Sequence, residues 1–287
     1  MATAGKNLSS FNQEELPSAR GMKIGIVAPY FYPWYGGITE HVYYQYKELT
    51  RHGHDVKIVT PFDGMNMIDS RDLIKLGTPV PFIANGSITR VPLVARKRKR
   101  VRDILDREHF DILHLHQPLF CFLGLAFMRR IREMQRSGLN HPRVVGTFHA
   151  CGGPTERFLM NTLGSYFHRF RPVFDYKIAV STASRQFVHR VLPGEYEIIP
   201  NGVDVERFRS ERSTIPPFDD GILNILFVGR LEPRKGILSL LDSLPHVLNL
   251  SRTPFRLLVV GNGLFLDYYR KRTPESVRDK VFFLGSA

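Results

Sequence analysis

Short apolar runs alternate with amphipathic stretches along most of the chain, and most apolar runs stop at a proline, a glycine or a polar turn. Residues 22–29, 56–60, 111–116, 142–148, 176–180 and 197–200 read as strands on this pattern. Helical spacing predicts helices over 40–49, from the basic cluster at 96 to Glu108, over about 119–136, and up to about Phe170. Ser181–Ser184 offers a helix cap, and Gly53 is a stop signal after the first helix. Residues 62–78 carry no clean pattern, and short strand-like pieces follow near 80–82 and 88–91. Strand, glycine loop, helix and strand over the first forty patterned residues make a βαβ unit with a right-handed crossover. Its ligand edge is the carboxyl end of the strands, where Gly36-Gly37 sits. The alternation as a whole predicts a parallel α/β layer structure.

A second such unit is expected after a charged, proline-bearing linker. The organisation read from the chain is a loose extension at 1–21, a first domain at 22–210, a linker at 211–221 and a partial second domain at 222–287. Strand 222–228 is followed by Gly229-Arg230-Leu231-Glu232-Pro233-Arg234-Lys235-Gly236 and then by a helix whose apolar face is Ile237, Leu240, Leu241, Leu244, Val247 and Leu248. Glycines allow close backbone approach, and free N–H groups at a helix start favour an anion. Arg230 and Lys235 add a fork and a point charge at the same edge, a combination suited to a diphosphate. A solvated basic loop is the plain alternative for this stretch taken alone.

Composition narrows the partners. Forty Lys and Arg against 27 Asp and Glu give a formal charge of +13, which implies attraction to an anionic surface or to a phosphorylated small molecule. The densest cluster is Arg96-Lys97-Arg98-Lys99-Arg100, with Val101, Ile104 and Leu105 expected to pack inward behind it. There is no apolar run of 18 residues and no apolar centre in the first twenty, and the two cysteines make neither a disulfide framework nor a metal spacing. These points favour a cytoplasmic location.

Several stretches in combination carry a family resemblance: Gly36-Gly37 before a helix, Arg51-His52-Gly53-His54-Asp55-Val56, Pro200-Asn201-Gly202-Val203-Asp204, and Gly229-Arg230 with Lys235-Gly236. Together they resemble the retaining GT-B glycosyltransferases of family 4. Asn85-Gly86-Ser87, the basic helix after it, Leu113-His114-Leu115-His116-Gln117-Pro118 and Thr147-Phe148-His149 are similar to the phosphatidylinositol mannosyltransferases within that family. The resemblance implies an α/β, GT-B fold of two Rossmann-like domains facing across a cleft, the second truncated here. It implies transfer of a sugar, from GDP-mannose, to a lipid or glycan acceptor such as phosphatidylinositol, with retention of configuration.

The same resemblance implies roles for particular residues. Gly37 approaches the donor diphosphate through its backbone, Arg230 and Lys235 neutralise it, and His149 hydrogen-bonds the transferred sugar as the catalytic histidine. Tyr30 and Arg234 fall on the acceptor side, while Asn201 and Asp204 order a turn. Arg96, Lys97, Arg98, Lys99 and Arg100 rest on an anionic membrane surface, which makes the protein peripheral at the inner face. No cofactor or metal is implied, since two cations carry the charge. A pair of glutamates spaced eight apart is also implied, yet Glu275 is the only glutamate beyond Glu232, so the 287 residues alone are expected to transfer little or no sugar. Cys151-Gly152-Gly153-Pro154 stands where a lysine-bearing acceptor loop is implied.

Other readings compete. His149 could be a satisfied histidine at a strand end. His114 and His116 are read as structural, facing opposite sides of their strand and so forming no local metal pair, with His116 the closer to the cleft. A nicotinamide-dependent oxidoreductase lacks its G-x-G-x-x-G, since Gly261-Asn262-Gly263 has no third glycine and comes late. A sugar epimerase would also hold a nucleoside diphosphate. A basic helix could bind nucleic acid, but no recognition fold accompanies it, so no nucleic-acid partner is expected. A nonenzymatic acceptor- and membrane-docking module, and a family 4 enzyme for another polysaccharide or glycolipid, stay open.

Overall fold

The computed structural model describes residues 21–84, 87–93, 97–149, 162, 164–206 and 218–286. The chain divides into two compact units, one formed by residues up to Val80 with Arg90–Gly202, the other by Pro81–Thr89 with Val203 onward. Sequence order alone does not reveal that Pro81–Thr89 goes with the second unit.

The first unit is a seven-stranded parallel sheet. Its strands are β1 (Lys23–Val27), β2 (Asp55–Thr60), β3 (Leu73–Lys75), β6 (Ile112–His116), β7 (Arg143–Phe148), β8 (Tyr176–Ala179) and β9 (Glu197–Ile198). They lie in the order β3-β2-β1-β6-β7-β8-β9, parallel at each pairing. β4 (Thr78–Ala84) and β5 (Ser87–Leu93) pair with each other in a separate ribbon. Helices α1 (Gly37–Arg51), α2 (Lys97–Glu108), α3 (Phe122–Arg136) and α4 (Thr182–His189) connect the strands.

Helices on both faces of a parallel sheet bury its central strands, which is why β1, β6 and β7 read as near-continuous apolar runs. On one side Ile24, Ile26, Val56 and Ile58 pack with Val42 of α1. On the other, Val27, Leu113, Leu115 and Val144 pack with Val101, Ile104 and Leu105 of α2 and Phe127 and Ile131 of α3. The amphipathic reading of α2 therefore holds, with Arg98, Lys99, Arg100 and Arg102 on its exposed side. Ser181 caps α4, its Oγ accepting from the Ser184 N–H at 3.1 Å.

Two elements differ from expectation. β3, inside the unpatterned stretch 62–78, is a three-residue edge strand held only by β2, too short to show a period. The helix expected from about 119 starts at Phe122, because Pro118–Phe120 forms a separate 3-10 turn and Cys121 is extended. Gly124 lets that turn sit on α3, since a Cβ there would lie 2.6 Å from Pro118 Cα.

The second unit has β10 (Leu223–Val228), β11 (Phe255–Val260) and β12 (Val281–Gly285), parallel and in that order, with α5 (Ile237–Leu250) and α6 (Leu266–Arg272). Leu231, Ile237, Leu241, Leu244, Leu257, Val259 and Tyr269 form its core. Residues 211–217 of the expected linker lie outside the described residues, as do Asn85, Gly86, Arg96 and the loop at 151–154.

Within β7, Gly146 makes room for a buried ring: a Cβ there would stand 2.6 Å from Phe174 Cε1. Gly146→Ala is expected to cost about 1–3 kcal/mol by overpacking. Gly36→Ala, at an extended residue with nothing within 4 Å, should leave stability unchanged. Chemical denaturation of the two variants checks the contrast, and equal stabilities would refute it.

Candidate functional site

In the first unit the carboxyl-terminal halves of two central strands, β6 and β7, carry or lead into histidines. His114 and His116 lie on β6, and the expectation that they face opposite sides is wrong. Side chains on a strand alternate with period two, so residues i and i+2 share a face. Their rings stack with centroids 4.5 Å apart. Gln45 of α1 holds both: its Oε1 accepts from His116 Nε2–H at 2.8 Å, and its Nε2 donates to His114 Nδ1 at 2.9 Å. The remaining nitrogen of His114, as Nε2–H, donates to Thr147 Oγ1 at 2.7 Å. These bonds leave His116 Nδ1 as an acceptor, and His149 Nε2–H donates to it at 3.0 Å.

His149 follows the last residue of β7. Its backbone N–H donates to Gln117 Oε1 at 2.7 Å, and Gln117 takes a left-handed conformation to reach across. His41 of α1 completes the group, with ring centroids 5.4 Å from His116 and 5.2 Å from His149. Burial pushes His114 and His149 down to about 3, with neighbouring imidazoles adding to the effect. The same causes hold His116 well below its ordinary value, and burial lowers His41. All four rings are therefore neutral at pH 7. His41 and Gln45 escaped the sequence reading. The available signal was their spacing, one helical turn apart on one face of α1.

Gly37 opens that same helix, one turn before His41. Gly36 caps α1 without a side-chain hydrogen bond, and the first helical bond is Glu40 N–H to Gly36 O at 3.0 Å. The N–H groups of the first turn have no intrahelical acceptors and face an anion-favouring end of the helix dipole. Nothing crowds the spot: a Cβ on Gly37 would find only Asn201 Nδ2, at 4.0 Å. The preceding loop is braced by Tyr32 Oη donating to Glu40 Oε1 at 2.6 Å and Thr39 Oγ1 to the Trp34 carbonyl at 2.6 Å. Tyr30, in the same loop, is half-buried against the β1–α1 core.

In the second unit the loop after β10 is shaped by glycines. A Cβ on Gly261 would overlap the Gly229 carbonyl oxygen at 1.9 Å, so the ends of β10 and β11 touch backbone to backbone. Leu231 N–H donates to Asn262 O at 3.0 Å, and Gly236 enters α5 in the left-handed region at φ 78°. Glu232, buried at the centre of this loop, was not singled out from the sequence. Arg230 Nη1 lies 3.0 Å from its Oε1 and Arg234 Nη2 lies 2.9 Å from its Oε2. The two arginines are thus two arms of one ion-paired cluster, with Lys235 exposed beside them. Three cations and one carboxylate leave a net charge of two positives. The signal for Glu232 was its place as the one acid between two arginines.

On α2, Arg98, Lys99 and Arg100 are exposed, and Arg100 Nη2 also donates to the Lys75 carbonyl of β3 at 3.2 Å. Lys97 is the first residue of the helix, and Arg96 lies outside the described residues. Among the described residues no helix is long and apolar enough to cross a membrane.

Acid should unfold the first unit by way of its histidines. A base whose pKa is lower in the folded state takes its proton first in the unfolded chain, so stability is lost as pH falls below 6.5 and the loss continues toward about 3. Between neutrality and about pH 5, His114 and His149 together should cost about 4 kcal/mol. Denaturation midpoints across this range are the measurement, and a flat profile would contradict neutral burial.

Comparison with known proteins places the chain in a family. The family described as Glycosyltransferase Family 4 matches residues 35–207, and Glycosyl transferases group 1 matches residues 223–287. Phosphatidyl-myo-inositol mannosyltransferase of Mycobacterium tuberculosis (strain CDC 1551 / Oshkosh) is 31% identical over 247 residues, which cover 84% of this chain and 61% of that protein. A phosphatidylinositol N-acetylglucosaminyltransferase subunit from Arabidopsis thaliana is 28% identical over 279 residues, 92% of this chain and 58% of that one. The chain therefore spans about three fifths of the length of these relatives. The solved lipopolysaccharide outer core galactosyltransferase WaaB shares the fold, with a TM-score of 0.53 and 15% identity over 93% of this chain and 68% of its own. With one family matched over more than half of its residues, the chain belongs to glycosyltransferase family 4 and has the α/β architecture of the GT-B class.

Proposed function

We propose that the protein is a retaining glycosyltransferase that moves mannose from GDP-mannose to an inositol phospholipid, working as a peripheral protein at the cytoplasmic face of a membrane. The observation that carries this reading is the loop between β10 and α5. There a buried carboxylate steadies two guanidiniums and a lysine stands beside them, at a backbone opened by glycine. Such fixed cations stabilise a diphosphate most when it gains charge on leaving. The inositol-lipid acceptor is supported by the two relatives named above.

In the transfer, the bond from the sugar's anomeric carbon to the diphosphate oxygen breaks. The acceptor hydroxyl oxygen bonds to that carbon on the same face, and its proton passes to the departing phosphate. Arg230 and Lys235 balance the negative charge left on GDP, so this step calls on no metal. Gly37 admits the diphosphate at the open start of α1, and His149 contacts the sugar, with Tyr30 and Arg234 on the acceptor side. A second reading keeps the acceptor and replaces mannose by N-acetylglucosamine. It is favoured by the Arabidopsis relative, which aligns with 92% of the chain.

The protein expressed from its complete reading frame, offered a panel of nucleotide sugars with extracted lipids, should give a mannosylated inositol lipid identifiable by mass spectrometry. An N-acetylglucosaminyl product would select the second reading, and a labelled soluble oligosaccharide would overturn both. In the same protein Arg230→Ala should lower turnover by about 10²–10³-fold, the scale of one lost charge-stabilising contact. Gly37→Ala should leave thermal stability intact, because its Cβ meets no clash, while weakening nucleotide binding.

The exposed cations of α2 set a separate expectation. At about 1 kcal/mol per basic residue near an anionic leaflet, neutralising Arg98, Lys99 and Arg100 to glutamine should weaken sedimentation with anionic liposomes by roughly a hundredfold. Binding should also fall as salt rises. Equal binding to neutral and anionic vesicles would remove the membrane role from this helix.

A further inference from the structure

We propose that Arg129, Arg132, Arg136 and Arg169 form a phosphate-binding site on the first unit, for a compact phosphate group carried by a free ligand or by a lipid headgroup. Arg129, Arg132 and Arg136 recur at i, i+3 and i+7, which makes one stripe along α3. Two rings meet that stripe, Tyr166 and Phe170, with centroids 5.7 Å apart. Arg169 Cζ stands 4.2 Å from the centre of the Tyr166 ring. Arg129 donates to the Tyr166 hydroxyl through Nε at 3.2 Å and through Nη2 as well. Arg132 Cζ stands 6.0 Å from the centre of the Phe170 ring. Three guanidiniums thus converge on one aromatic pair, and Arg136 extends the set by a helical turn.

The protein's own acids leave this charge in place. The only acid of α3, Glu133, sits 3.8 Å from Arg130 Nη1. Among the described residues none of the four arginines forms an ion pair. Partial desolvation, together with repulsion from Arg136 and Arg169, lowers Arg132 below the ordinary arginine value. Like charges gathered on one helix face repel, and an anion placed among them relieves that repulsion. A guanidinium is planar and offers its N–H donors as a fork that fits paired phosphate oxygens, and contact with a ring holds that plane in place. Carboxylates strung along a peptide would each meet one arginine, whereas a phosphate gathers several donors at a single centre. α3 leads from the carboxyl end of β6 to the amino end of β7, so Arg132 and Arg136, in its last turns, lie toward the sheet edge opposite the histidines. This inference is independent of the sugar transfer proposed above, because it uses none of the residues assigned to donor or acceptor.

The test is hydrogen–deuterium exchange of the full chain with inorganic pyrophosphate, read peptide by peptide. Pyrophosphate should slow exchange in the peptides covering 129–136 and 164–171, beyond any slowing by sodium chloride at equal ionic strength. Arg169→Lys keeps the charge but loses the fork, and should weaken binding about tenfold. Arg132→Gln with Arg169→Gln should abolish the effect without lowering Tm, since neither side chain is buried. Phosphatidylcholine vesicles carrying phosphatidic acid form the second arm. Slowing by free pyrophosphate assigns the site to soluble phosphates, and slowing by the phosphatidic acid vesicles alone assigns it to a headgroup. Slowing by neither, slowing matched by salt, or slowing retained in the double variant would overturn the site. Because exchange is read at α3 and not at the loop after β10, that failure is distinct from failure of the transferase reading.

Discussion

Complete burial of a parallel sheet is the constraint from which the first unit's chemistry follows. Between two layers of helices, β1, β6 and β7 are apolar along most of their length. A polar group there would lose its water without gaining a partner, at a cost of a few kcal/mol. Polar residues therefore gather where the strands end, and there they must satisfy one another. Gln45 bonded to both His114 and His116, Thr147 bonded to His114, and Gln117 bonded to the His149 amide are the outcome. The same edge that makes the sheet stable makes a closely spaced set of neutral imidazoles beside the open start of α1.

The second unit meets a different problem at the corresponding place. Its loop concentrates arginine and lysine, whose mutual repulsion would spread an isolated basic turn into solvent. Glu232 counters this from inside. Buried and in contact with both guanidiniums, it costs desolvation, which its two close partners offset. The carboxylate also fixes direction, so two arginines present a defined cationic surface where flexible side chains would otherwise wander. Gly229 and Gly261 complete the arrangement by letting two strand ends touch, which pins the loop at its base.

Much of the architecture was legible because burial on both sheet faces writes long apolar runs, and helices write a 3.6 period. β1, β2, β6, β7, β8 and β10 fall where those runs lie. β3 left no trace because three residues held from one side need no pattern. The glycines were legible as punctuation, but the atom each one spares was not: Phe174 for Gly146 and the Gly229 carbonyl for Gly261 are distant neighbours. His149 and Arg230 stood out by position. Glu232 did not, since a lone acid among bases reads as an accident until its burial is known.

The histidines show where local pattern stops informing. Period two already places His114 and His116 on one face, so their stacking follows from the strand alone. The larger group cannot be read that way, because His41, His116 and His149 reach one point only through the β1-β6-β7 neighbourhood of the sheet and the crossover of α1. Gln45 and His116 are 71 residues apart in the chain, yet the tautomer of one is set by the amide of the other. A side chain's chemical state, donor or lone pair at a given nitrogen, is thus decided by topology, and it is this state that determines what each ring of the cluster can donate or accept.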